Sequence, residues 1–164
     1  MRQALQEAQK CIRDEHSLLS PNTSVEDGVV SPHDVPVGAI CVSNGQVVGR
    51  GHNRREIDGD PTAHAEVLAL QEAAHSLKSH NLEGVTLYVT LEPCPMCAGA
   101  LWLSRISRLV FGAWDQKAGA CGSVFDIVRD PRLNHQVEMR GGVLETECQD
   151  QLRSFFASIR GHTP

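Results

Sequence analysis

Two short stretches of this chain carry residues that could do chemistry together: His64-Ala65-Glu66 and, further along, Pro93-Cys94-Pro95-Met96-Cys97. An imidazole and two thiols are zinc ligands, and a glutamate is a proton carrier. Each piece alone is weak. Eight histidines in 164 residues give a His-x-Glu about 0.5 times by chance, and six cysteines give a Cys-x-x-Cys about 0.2 times. A proline directly before the cysteine pair takes the joint expectation below about 0.01, so the signal lies in the combination. His64, Cys94 and Cys97 make three ligands, which suits a catalytic zinc with an open, water-filled position. A structural zinc would need a fourth, for which Cys121 and His135 are available. In the open site zinc polarises water towards hydroxide. Glu66 then serves as the carrier that takes the water proton and hands it to the substrate, rather than as a ligand.

The elements must bring these residues to one point. Cys94 and Cys97, three apart at a helix start, share a face, and a helix N-terminus favours thiolate. His64 and Glu66, two apart, would diverge by about 200° on a helix. Both reach one site only from the first turn, with the site beyond the helix end, and Pro61-Thr62 places the start there. The surrounding pattern is a helix at 2–15, a loop at 16–34 broken by Pro21 and Pro32, and two strands at 35–42 and 46–51 joined through Asn44-Gly45. A polar loop follows at 52–61, then a helix at 63–77, a strand at 85–90, a helix at 95–104 and a strand at 109–111. Beyond come a glycine-rich loop at 112–123, a short helix near 123–128, a strand near 136–139 and a helix at 145–159. Strands and helices alternate after the opening hairpin, which predicts an α/β fold: a three-layer α/β/α sandwich on a mixed five-stranded sheet. The ligands then sit at the edge where open α/β sheets bind.

Length and charge narrow the class. The 164 residues make one expected domain, 1–164, with 16–34 expected as a flexible insertion. A net charge of −5 argues against a generally basic nucleic-acid binder. Residues 105–140 are locally basic, with Arg105, Arg108, Lys117, Arg129, Arg132 and Arg140 outnumbering the acids there. This is either a solvated face or a track for phosphates. No apolar run approaches the ~18 residues of a membrane span, and the N-terminus lacks a signal-peptide core. A cytoplasmic protein with reduced thiols is expected, Cys11 and Cys148 being inert core residues. No Walker or Rossmann pattern occurs, so no nucleotide cofactor is expected. Residues 98–103 are apolar on every face; such a helix is buried all round, which calls for a partner subunit on its outer side.

These residues resemble the cytidine-deaminase-like zinc deaminases, and within them the bacterial tRNA-specific adenosine deaminases. The matching blocks include Val35-Pro36-Val37-Gly38-Ala39, Gly51-His52-Asn53-Arg54, Asp60 to Glu66, Leu87 to Cys94, Met96 to Ala100, Phe111-Gly112-Ala113, Asp115, Lys117 and Asn134-His135. The resemblance covers 35–160 and the first helix. It departs at the 16–34 insertion and at a C-terminus without a basic tail. It implies one zinc per subunit, a homodimer with active sites near the interface, and hydrolytic conversion of the wobble adenosine of a tRNA anticodon loop to inosine. Asn53, an ordinary turn residue by itself, would by resemblance hold the base. Ala65 would offer a backbone N–H, and Asp115 and Lys117 would flank the substrate strand. Glu92 is expected to be a cap or ion-pair partner without a catalytic role. Two other functions fit less well: a deaminase of free guanine, cytosine or nucleosides, and a non-catalytic RNA-binding subunit, which would have no need of Glu66.

Overall fold

The computed structural model describes residues 1–18 and 34–160. Its elements are α1 (Arg2–Leu18), β1 (Gly38–Ser43), β2 (Gln46–His52), α2 (Arg55–Asp58), α3 (Ala65–Leu77), β3 (Thr86–Leu91), α4 (Pro95–Leu103), β4 (Arg108–Ala113), β5 (Glu138–Arg140) and α5 (Glu145–Arg160). The hairpin turn forms at Asn44 and Gly45, both at positive φ (50° and 75°), the backbone that an Asn-Gly pair supplies most readily. The sheet order is β2-β1-β3-β4-β5. β1 is antiparallel to both neighbours, while β3, β4 and β5 run parallel. The mixed five-stranded sheet is as expected.

Small residues set the layers. Gly38 faces α1, where a Cβ would fall 2.2 Å from the Ala4 carbonyl; Gly49 and Gly51 face α3, with the same 2.2 Å to Ala69 O and Ala65 O. In antiparallel pairing Gly38 sits opposite His52 and Ala39 opposite Gly51, so α1 and α3 lie on opposite faces. α5 packs on β4 at Gly112, where a Cβ would meet Cys148 Sγ at 2.2 Å. Gln151 Nε2 donates to Leu5 O, tying α5 to α1 on one face. α3 and α4 cover the other. Between the layers lies a core of Leu87, Val89, Leu101, Ile106, Leu109 and Phe111, all fully buried.

The register fixes where the site can be. The end of β2 (His52) pairs with the start of β1 (Gly38), and Ala39 pairs with Val89 near the end of β3. Leu91 pairs with Ala113 at the end of β4. The connections after β2, β3 and β4 therefore all leave the sheet at one edge, and the first two lead into the N-termini of α3 and α4.

Several boundaries differ from expectation. α1 extends to Leu18 rather than 15; of the expected loop only 16–18, which are helical, and Asp34 are described, and 19–33 lie outside the described residues. The polar loop at 52–61 contains α2. Its N-terminus is capped by Asp34, whose two carboxylate oxygens accept the N–H groups of Glu56 and Ile57 at 3.1 and 3.2 Å. No helix forms at 123–128. Cys121 and Asp126 make an isolated β-bridge there, and Gly122 at φ 131° turns the chain. α4 is not covered all round: Leu103 is 68% exposed and Met96 37%. Cys11 and Cys148 are buried free thiols. Among the described residues no helix is long and apolar enough to cross a membrane.

Gly51→Ala is expected to destabilise the fold by about 3 kcal/mol, because the added methyl meets helix backbone that cannot turn aside. The denaturation midpoint in urea should fall with the slope unchanged.

Candidate active site

The two ligand-bearing helices start in the same way. His64 is the residue before α3 (φ −81°, ψ 148°), and Cys94 the residue before α4 (φ −71°, ψ 172°). Both are extended, and neither side chain caps its own helix. The helix expected from 63 in fact begins at Ala65, and this shift resolves the angular problem. His64 stands outside the helical spiral, so its direction is independent of Glu66, which lies in the first turn. Cys97 sits in the first turn of α4, one turn from Cys94, and Pro95 suits the helix's first position.

His64 Nδ1 lies 3.8 Å from Cys94 Sγ and 3.5 Å from Cys97 Sγ, and the three ligand atoms all lie within 4.8 Å of one another. A tetrahedral zinc with Zn–S of about 2.3 Å and Zn–N of about 2.05 Å requires N···S edges of about 3.6 Å. The observed spacings straddle that value. The three residues therefore fit a zinc ion. Neither expected substitute completes a fourth corner: among the described residues the metal-binding group is these three alone. His135 Nε2 is instead at 2.8 Å from the Ile106 carbonyl, and Cys121 is a fully buried thiol.

The protons in the cluster are shared. A hydrogen bond from the Cys97 thiol, helped by His64, holds Cys94 far below an ordinary thiol, at about 4. The Cys94 thiolate and burial push Cys97 upward, and the bond to Cys94 raises His64. A zinc ion displaces these protons. Glu66, 4% exposed, is pushed up to about 7 by burial, with its backbone N–H and His64 pulling the other way.

Asn53 is buried beside the start of α3 and engaged at every polar group. Its N–H donates to Val37 O (3.1 Å), its carbonyl accepts the Cys11 thiol (3.4 Å), and its Nδ2 donates to Val35 O (3.0 Å). Its Oδ1 accepts the N–H of Ala65 (3.0 Å). The Ala65 N–H is thus committed to Asn53, whereas the sequence led to the expectation that Ala65 would offer it to the substrate.

Beyond β4, Asp115 and Lys117 lie on the loop that returns over Pro93. Asp115 Oδ1 accepts the N–H groups of Lys117 (2.9 Å) and Ala118 (3.2 Å), and Ala120 N donates to Pro93 O (2.8 Å). Among the described residues Glu92 has no ion-pair partner. It is 2% exposed and accepts three backbone N–H groups of this loop, a role invisible in the sequence because its partners lie 23–31 residues away. The basic segment is partly self-neutralised: Arg108, Arg129 and Arg132 pair with Glu138, Asp126 and Asp130. Also missed was a groove of about 580 Å³ between this loop and α5, lined by Trp114, Lys117, Arg153, Phe156 and Arg160 among others.

Replacing His64 with Ala or Cys97 with Ser should reduce zinc from one per chain to near zero by metal analysis, while Glu66→Ala should keep it. Zinc lost from Glu66→Ala would make that carboxylate a ligand.

Comparison with known proteins places the chain in a family. The family model described as MafB19-like deaminase matches residues 14–160. The chain is 50% identical over 127 residues to the tRNA-specific adenosine deaminase of Bacillus subtilis, covering 77% of this chain and 79% of the relative. A solved structure from studies of A-to-I editing by tRNA:A34 deaminases at the wobble position aligns with TM-score 0.75 at 35% identity, over 90% of this chain and 94% of that one. A guanine deaminase from Nitrosomonas europaea aligns with TM-score 0.69 at 25% identity, over 94% and 81%. With half the aligned residues shared across most of both chains, and a deaminase model matched over nearly the whole length, this chain belongs to the MafB19-like deaminases and to the tRNA-specific adenosine deaminase family.

Proposed function

We propose that this chain converts the wobble adenosine of a tRNA anticodon loop to inosine. The observation that carries this is the three-ligand triangle with Glu66 buried beside it, in a chain half identical to tRNA-specific adenosine deaminases. The guanine deaminase shares the fold at only a quarter of residues.

Adenosine and water give inosine and ammonia. Zinc, held by His64, Cys94 and Cys97, supplies the Lewis acidity that makes hydroxide available at neutral pH. Glu66 takes a proton from water and delivers it to N1 as oxygen adds at C6. It then moves a second proton to the departing amino group. A carboxyl poised near 7 can both accept and release these protons at neutral pH. Asn53 holds the base, and Ala65 contributes by fixing the Asn53 side chain.

A loop base is already unpaired, so bringing it into the pocket costs little unstacking. Asp115 and Lys117 grip the flanking nucleotides. The adjoining groove offers Trp114 and Phe156 rings for stacking and Lys117, Arg153 and Arg160 for phosphates. The enzyme works in the cytoplasm as a homodimer, joined where α4 leaves Leu103 and Met96 uncovered.

An anticodon stem-loop should be turned over at least about 100-fold faster than free adenosine, guanine or cytosine at equal concentration. The reading is falsified if a free base or nucleoside does as well. Glu66→Ala should lower turnover about 1000-fold, and Asn53→Ala should lower kcat/KM roughly 50-fold. Raising salt from about 50 to 200 mM should depress kcat/KM for RNA through the phosphate contacts. Leu103→Glu should turn a dimer into a monomer in sedimentation at micromolar concentration; a wild-type monomer refutes the interface.

A further inference from the structure

We infer that Glu92 is the positioning residue for the substrate-gripping loop: its carboxylate pins residues 115–123 over the zinc edge and thereby sets Asp115 and Lys117. The inference rests on the reading of those two residues as RNA contacts.

Glu92 ends β3's run into the zinc loop, two residues before Cys94. Among the described residues no cation pairs with it, yet it is fully enclosed. A buried carboxylate is tolerated only when its oxygens are hydrogen-bonded. Here all the donors are main-chain N–H groups of one loop. Oε2 accepts from Asp115 at 3.0 Å, and Oε1 accepts from Cys121 and Ser123, each at 3.0 Å. The loop is shaped around the group it encloses. At Gly119 a Cβ would fall 2.2 Å from Ser123 Oγ, 2.3 Å from Glu92 Oε2 and 2.4 Å from the Glu92 carboxyl carbon, so only glycine lets the chain close there. Ser123 Oγ donates across the loop to Asp115 O at 2.7 Å, and Ala120 N fastens the whole to Pro93 O.

The two oxygens divide the work. Oε1 holds the far side of the loop, while Oε2 holds the Asp115 N–H, the Asp115 carbonyl being taken by Ser123 Oγ and Gly119 N–H. Asp115 relays that placement, because its own carboxylate accepts from Lys117 and Ala118 and makes the turn that presents Lys117. Glu92 thus touches no substrate and acts through Asp115. It also links the loop to the strand that delivers Cys94, so the RNA-contacting residues and the zinc ligands share one reference point.

Glu92→Gln separates these roles. The amide has one oxygen, and the Cys121–Ser123 side uses it for two bonds against one. Its NH2 then faces the Asp115 N–H, donor against donor. The expected result is faster amide hydrogen exchange at 115–118, with sheet amides as protected as in wild type and zinc still at one per chain. With a stem-loop substrate, KM should rise about tenfold and kcat change less than about threefold. In an Asp115→Ala background, Glu92→Gln should add nothing further to KM. Gly119→Ala, which crowds both that oxygen and the Ser123 hydroxyl bonded to the Asp115 carbonyl, should reproduce the KM effect with Glu92 intact. The inference is overturned if exchange at 115–118 is unchanged, if zinc or sheet protection is lost together with the loop, or if kcat falls while KM stays put. A wild-type protein that ignores the stem-loop would refute the substrate reading instead, and the exchange and zinc measurements would still decide whether Glu92 holds the loop.

Discussion

Everything at this site depends on two helices beginning at the same place. Each is preceded by an extended residue whose side chain is a metal ligand, and the His64 and Cys94 atoms end 3.8 Å apart. An extended residue at a helix start is free of the helical spiral, and the unpaired N–H groups behind it favour negative charge. A cysteine held at about 4 coexists with a neighbouring thiol pushed upward because Cys97 keeps its proton and donates it to the Cys94 thiolate, with His64 beside them. The helix ends add to this preference for thiolate. The sheet makes the coincidence possible, since β2 and β3 are each antiparallel to β1 between them and therefore finish on one edge.

Close packing holds the helices in that relation. Gly49 and Gly51 on β2 meet a row of Ala65, Ala69 and Ala73 on α3 at backbone distance. A helix seated on glycine has little freedom to slide, because its carbonyls already touch the strand. Ala65 belongs to this contact and also opens the helix that carries Glu66. The packing contact and the buried Glu66 carboxyl therefore belong to one rigid unit, and the first turn of α3 inherits its position from the hairpin.

Much of this was legible in the residues and some of it was not. The zinc triad was readable because metal chemistry restricts ligand type and spacing tightly, and the hairpin because Asn44-Gly45 demands a backbone few other pairs adopt. The sandwich followed from the alternation of elements. What escaped was tertiary. α2 owes its start to Asp34, 22 and 23 residues before the amides it caps, so its sequence reads as a polar loop. The 123–128 stretch, expected as a short helix, is made of poor helix formers such as Val124, Ile127 and Val128, and the Cys121–Asp126 bridge and the bonds of Glu92 to Cys121 and Ser123 give it another geometry. Glu92 itself sits in a motif where attention falls on the cysteines. Its role depends on three amides that no local pattern connects to it.

The bonds around Asn53 leave its side-chain amide only one possible orientation. Were the group turned over, Ala65 N–H would face an NH2 and the Val35 carbonyl would face an oxygen, so two bonds would become two repulsions. The polarity is thus settled by the protein before any ligand arrives. The oxygen is engaged, and among the described residues one hydrogen on Nδ2 has no acceptor. A side chain that in isolation could both donate and accept thus presents a donor only.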